Sequence, residues 1–166
     1  VLLWGWGVMN STALREAVAT GYPRDKMYGV WWAAAEPDVT PVGADAKGYN
    51  GLALQHGAGR AKVHEDILKL VHDKGQGTGP KEEVGQVLYM RGLHAAMLAI
   101  EGVRSAQERY GKGKLVTGEQ ARWGYENLNL TQAKLDALGF KGVMRPISTS
   151  CQDHMGASFA RVHTWD

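Results

Sequence analysis

Glu36 is the side chain best placed to do chemistry in this sequence. It follows the apolar run Met27–Trp32 and three alanines, Ala33, Ala34 and Ala35, and it precedes Pro37. A proline biases the residue before it toward extended backbone, so Glu36 is expected to project from a loop rather than lie along a helix. In an aromatic surround its carboxylate can pair with an ammonium or accept from hydroxyls, a charge-assisted bond of about 1.5–3 kcal/mol. Four of the six tryptophans, Trp4, Trp6, Trp31 and Trp32, fall in the first 50 residues. Indole faces stack on rings and cations. Trp6, between Gly5 and Gly7, is the one the backbone can turn outward most easily. Trp31 and Trp32, as neighbours on one strand, are expected on opposite sides, so at most one lines a cleft. An ordinary reading stands beside each: a solvated loop glutamate, or tryptophans packed in a core.

Other chemistry-bearing patterns are weaker. Gly75-Gln76-Gly77-Thr78-Gly79 has the glycines of a phosphate loop, but it follows a helix pattern and lacks the closing Lys-Ser/Thr. His64-Glu65 has no second histidine four residues on, so it is not a zinc-protease helix. Cys151, Asp153 and His154 share a segment but are too few for a closed zinc site. Cys-Gln-Asp-His is not a nucleophile turn either. Residues 148–156 therefore read as a structural loop. No nucleophile–base–orienter set is visible, so no catalytic residue, metal ligand or cofactor is assigned.

The chain of 166 residues is long enough for one ordinary domain with a core. Its net charge is +2 and its basic residues are scattered, which argues against nucleic acid or an anionic membrane as partner. No apolar run has the length of a membrane span. The single Cys151 excludes a disulfide within the chain and leaves the compartment open. The opening Val1-Leu2-Leu3-Trp4 reads as the middle of a strand, which implies a piece of something longer.

The elements that must position Trp6 and Glu36 are a strand over Val1–Trp4, a helix from about Asn10 to Thr20 and a strand over Met27–Trp32. Asn10 or Ser11 is the expected helix cap, and Leu14, Ala17 and Val18 its apolar stripe. Strand–helix–strand with short links favours a parallel pair joined by a right-handed crossover. Ligands of open α/β sheets bind beyond the carboxyl ends of such strands. An irregular loop is expected over residues 33–50, a third strand over Asn50–His56 and a break at Gly57-Ala58-Gly59. Helices follow over Lys62–Lys74, from about Glu82 to Tyr110, over Thr117–Asn127 and over Thr131–Leu138. In the long helix Met90, Leu93, Met97 and Ile100 form the apolar face, Ala95, Ala96 and Ala99 allow close approach to a sheet, and Gly92 and Gly102 mark tight packing. Val143–Ser150 and Ser158–Trp165 read as closing strands.

Taken in order, VLLWGWGVMNSTALREAVATGYP, MYGVWWAAAEPDV, GYNGLALQH, EDILKLVHDKG, VGQVLYMRGLHAAMLAIEGV and CQDHMGASFARVHTWD make a set that covers nearly the whole chain. That set resembles the C-terminal half of the type I periplasmic solute-binding proteins of branched-chain amino acid ABC transporters. The resemblance implies an α/β fold of two Rossmann-like lobes joined by a hinge, with the ligand in the cleft between them. It implies that residues 1–49 end the second lobe, 50–60 cross the hinge, 61–150 belong to the first lobe and 151–166 return through the hinge. It places the opening segments of both lobes outside this sequence. It puts Glu36 on the acid that binds a ligand amino group, Trp6 on the aromatic loop after the preceding strand, and Tyr89 near an aromatic of the first-lobe side. Trp32 joins them as a ligand-binding candidate. Ala35 and Pro37 stand where the family usually has glycines. With Trp31 and Trp32, this bulkier loop tells against a small aliphatic amino acid and leaves an aromatic or other carboxylate open.

The implied function is that of an extracytoplasmic or periplasmic component of an ABC importer. It would close on an amino acid or related carboxylate and hand it to permease subunits, without cofactor. The intact protein is expected to be a monomer, and the fragment to self-associate. The same lobes also serve as ligand-sensing domains of receptors and of amide-responsive regulators, and that reading stays open. An α/β enzyme is the third reading, disfavoured by the absence of a catalytic set.

Overall fold

The computed structural model describes residues 1–54, 60–156 and 159–166. Two compact units divide the chain: Val1–Ala58 with Gly85–Leu88 and Phe159–Asp166, and Gly59–Val84 with Tyr89–Ser158.

In the first unit, β1 (Leu2–Leu3) leads into α1 (Val8–Ala19), which returns to β2 (Tyr28–Gly29). β1 and β2 pair in parallel, Leu2 opposite Tyr28 and Leu3 opposite Gly29, as the strand–helix–strand pattern requires. α2 (Glu36–Val39) and a 3₁₀ turn over Gly43–Ala46 then lead to β3 (Asn50–Ala53), parallel to β2. The last strand, β6 (Arg161–Thr164), closes the sheet antiparallel to β3, in the order β1-β2-β3-β6. Leu14, Ala17, Met27, Val39, Ala46 and Tyr49 form the core beneath it. Tyr49 is fully buried, and its hydroxyl donates to the Ala33 carbonyl at 2.7 Å. Only a glycine fits at position 29, where a Cβ would lie 1.9 Å from the Tyr49 hydroxyl oxygen.

Several expectations for this unit are corrected. Trp31–Ala33 is a 3₁₀ turn, not the end of β2, so strand alternation does not apply to Trp31 and Trp32. Glu36 opens a one-turn helix instead of standing in an irregular loop; Pro37, in the first turn, forfeits no helical hydrogen bond there. Neither Asn10 nor Ser11 caps α1, whose N-cap is Gly7 at φ 56°, without a side-chain bond. Val18 is only half-buried, and Asn10 and Ser11 take its place on the buried face.

The second unit is built on helices. α3 (Lys62–Ile67) continues into a π turn over Leu68–His72. α4 runs Val87–Tyr110, after a 3₁₀ turn at Lys81–Glu83. α5 (Gly118–Tyr125), β4 (Asn129–Leu130), α6 (Gln132–Ala137) and β5 (Ile147–Ser148) follow, β4 and β5 pairing antiparallel. Thr131 caps α6 as expected, its hydroxyl accepting from the Lys134 N–H at 3.3 Å, and Gly139 at φ 85° ends it. The core gathers Val63, Met90, Met97, Leu135, Phe140 and Val143. On α4, Ile100 is 58% exposed and the buried face carries His94 in its place. Ala95, Ala96 and Ala99 are exposed. A Cβ at Gly102 would meet the Tyr125 ring at 2.2 Å, whereas one at Gly92 would meet nothing within 4 Å, so only Gly102 marks tight packing. The expected closing strand at Val143 begins only at Ile147. The expected break at Gly57-Ala58-Gly59, the end of the third strand and the start of the last at Ser158 lie outside the described residues.

Candidate functional site

β1 and β2 run the same way in register, so the loops that follow them leave the same rim of the sheet. The loop after β1 carries Trp4 and Trp6; the turn after β2 carries Trp31 and Trp32, with Glu36 four residues on. Trp6 and Trp32 meet edge to face at 5.7 Å, Trp4 meets Trp31 at 6.0 Å and Trp32 at 6.1 Å, and Trp31 meets Trp32 at 5.3 Å. All four are exposed: 65% at Trp4, 66% at Trp6, 39% at Trp31 and 37% at Trp32. Core packing does not describe them.

A buried residue ties the two loops together. Asn10, on α1, is fully buried; its Nδ2 donates to the Trp32 carbonyl at 3.0 Å and to Asp38 Oδ1 at 2.7 Å. The other Asp38 oxygen accepts from the Ala35 N–H at 3.0 Å. Gly5 makes room for Asn10, since a Cβ there would lie 2.1 Å from Asn10 Oδ1. A single amide thus fixes the turn bearing Trp32 and the start of α2 against the helix that follows Trp6. Sequence reasoning assigned Asn10 to capping and missed this role. The available signal was an asparagine in the first turn of an amphipathic pattern, on the side of Leu14 and Ala17.

Glu36 is half-buried. Its two carboxylate oxygens lie 3.2 and 3.1 Å from the Val87 backbone nitrogen, whose N–H they share. Val87 is the first residue of α4, so its amide has no partner within the helix, and a carboxylate is favoured there by the helix dipole as well. Tyr89 belongs to the second unit, half-buried in the first turn of α4.

The second unit holds a cavity of about 480 Å³ with apolar walls from Leu98, Leu128 and Ile147. At its side Glu126 accepts from Arg122 Nε at 2.9 Å and faces His154 Nε2 at 3.4 Å. The Arg122 hydrogen bond holds the Glu126 carboxyl below its usual range. Cys151 is exposed, and Ser150 turns the loop by accepting from the Asp153 N–H at 3.0 Å, in keeping with a structural loop. Among the described residues no helix is long and apolar enough to cross a membrane.

Three parallel strands with an antiparallel fourth, and aromatic loops at the carboxyl ends of β1 and β2, place this unit among open α/β sheets. The chain belongs to the periplasmic binding protein family, whose model matches residues 1–166. A solved structure from the Pseudomonas fluorescens group, described as an ABC transporter permease, is 37% identical, with a TM-score of 0.92 over 100% of this chain and 40% of that one. A branched chain amino acid ABC transporter from Thermus thermophilus, solved with bound valine, is 22% identical at a TM-score of 0.70, over 94% of this chain and 40% of that one. A periplasmic binding protein type 1 from Bordetella pertussis Tohama I is 17% identical at a TM-score of 0.59, over 98% of this chain and 42% of that one. The fold is therefore that of type I periplasmic binding proteins, and the chain spans about two fifths of the length of these structures. No curated protein sequence matches it.

Proposed function

We propose that the chain is the C-terminal part of a solute-binding component of an ABC importer. In this reading it binds an amino acid or related small polar or aromatic carboxylate outside the cytoplasm, by lobe closure, and delivers it to permease subunits. Residues 1–49 would end the second lobe, 50–60 cross the hinge, 61–150 belong to the first lobe and 151–166 return through the hinge. Trp6, Trp32 and Glu36 would form the second-lobe wall, with Tyr89 supplied from the first lobe. The protein would bind without catalysis and without a cofactor.

One observation carries this reading: exposed tryptophans cluster at the carboxyl ends of the parallel strands β1 and β2, and Glu36 follows Trp32 by four residues on the same connection. Its bond to Val87 does not exhaust it. A carboxylate offers about four lone-pair sites, and one shared N–H leaves the outer ones for a ligand ammonium or hydroxyl. Hinge closure then adds contacts from the other lobe and expels water.

Mass spectrometry of the small molecules released from the intact, natively purified protein tests this proposal. An amino acid or carboxylate in near-stoichiometric amount is the expected result. A protein that neither carries nor takes up any such solute contradicts it. The genomic setting separates transport from sensing: permease and ATPase genes alongside support transport, and a fused signalling domain supports a receptor.

A further inference from the structure

The tryptophan cluster narrows the class of solute. Four indoles gather at the ends of β1 and β2, with Trp32 touching the other three. Here each indole is exposed by more than a third although each already touches at least one other. Trp6 meets Trp32 edge to face and is 66% exposed, and Trp32 is still 37% exposed, so both present ring surface at the strand ends. Its position is also held. Asn10 fixes the carbonyl of Trp32, and Gly7 at φ 56° turns the chain sharply after Trp6. An aromatic wall on the loops that end β1 and β2 suits a flat ring on the ligand. Water is a poor partner for both the wall and such a ring, so stacking buries the two together.

We propose that the solute carries a planar aromatic ring, stacked on Trp6 and Trp32, in preference to a branched aliphatic side chain. This inference rests on the solute-binding reading above and names the ligand class of that same site.

Calorimetry on the intact protein, with phenylalanine and leucine as the two probes, tests it. The two share their ammonium and carboxylate and differ in the ring, so their ratio reports the ring alone. Phenylalanine is expected to bind at least tenfold more tightly. Trp6→Leu and Trp32→Leu should each reduce that ratio severalfold, while Trp32→Phe keeps most of it. Circular dichroism confirms that each variant folds; Trp6, the more exposed of the two, serves if Trp32→Leu does not. Equal or tighter binding of leucine overturns the ring proposal and leaves the solute-binding reading standing. A phenylalanine preference that survives in both leucine variants also overturns it. If neither probe binds and the protein carries no other ring-bearing solute, the ring proposal falls; if it carries no solute at all, the functional reading falls with it.

Discussion

Asn10 shows what a single residue decides in this molecule. Its amide serves the Trp32 carbonyl and one oxygen of the Asp38 carboxylate, whose other oxygen takes the Ala35 N–H, and an unsatisfied buried acceptor costs about 1–3 kcal/mol. Asn10→Ala is therefore expected to destabilise the first unit by about 2–4 kcal/mol in urea unfolding, for two such groups. It should also raise the mobility of Trp32, read as a loss of its fluorescence anisotropy; a change below ~0.5 kcal/mol would remove Asn10 from this role. Tyr49→Phe deletes the hydroxyl that serves the Ala33 carbonyl in the turn bearing both tryptophans. The expected cost is about 1–2 kcal/mol by the same measurement. Residue types made Glu36 and Trp6 legible as site candidates, because carboxylates and indoles advertise their chemistry. Asn10 was not legible, because burial of a polar group depends on partners 22 and 28 residues away that no local pattern reveals.

At the scale of elements, the parallel β1–α1–β2 unit, the long helix α4 and the Thr131 cap follow from periodicity and cap chemistry. The face of α4 did not. The sequence stripe nominates Ile100, but the helix buries His94. Both positions fit a helical stripe, and only the packing around Phe140, whose ring centroid lies 5.7 Å from that of His94, chooses between them. Burial of His94, reinforced by nearby His64, pushes its pKa from 6.5 down to about 4. The unfolded chain thus takes up a proton near pH 6.5 that the folded chain refuses until about pH 4. Stability is expected to fall as the pH drops through that window and to be unaffected by this group above it. Thermal unfolding from pH 7 to pH 4 measures it, and His94→Leu should flatten the slope; an unchanged slope would show that other groups set it. The end of β2 departs from its strand pattern for a related reason. Trp31 and Trp32 have strand propensity, but the chain turns there so that the Ala33 carbonyl can meet Tyr49.

At the scale of the whole molecule, the chain matches about two fifths of the length of related solved structures, and its surface is unusually apolar in places. Leu2, Trp4, Trp6, Val8 and Met9 are all exposed in the first unit, and among the described residues β1 is an edge strand. Exposed apolar side chains and an unpaired edge favour association. Light scattering of the 166-residue chain is expected to show species larger than a monomer. A clean monomer at high concentration would count against that expectation. The family was legible from the order of weak segments and not from any one motif.

The most direct measurement of the central claim is calorimetry of Glu36→Ala against the wild-type intact protein, using the solute recovered from it by mass spectrometry. At least a tenfold loss of affinity, with the fold retained by circular dichroism, is the predicted result. Unchanged affinity would show that Glu36 serves only the Val87 amide and that the solute binds elsewhere.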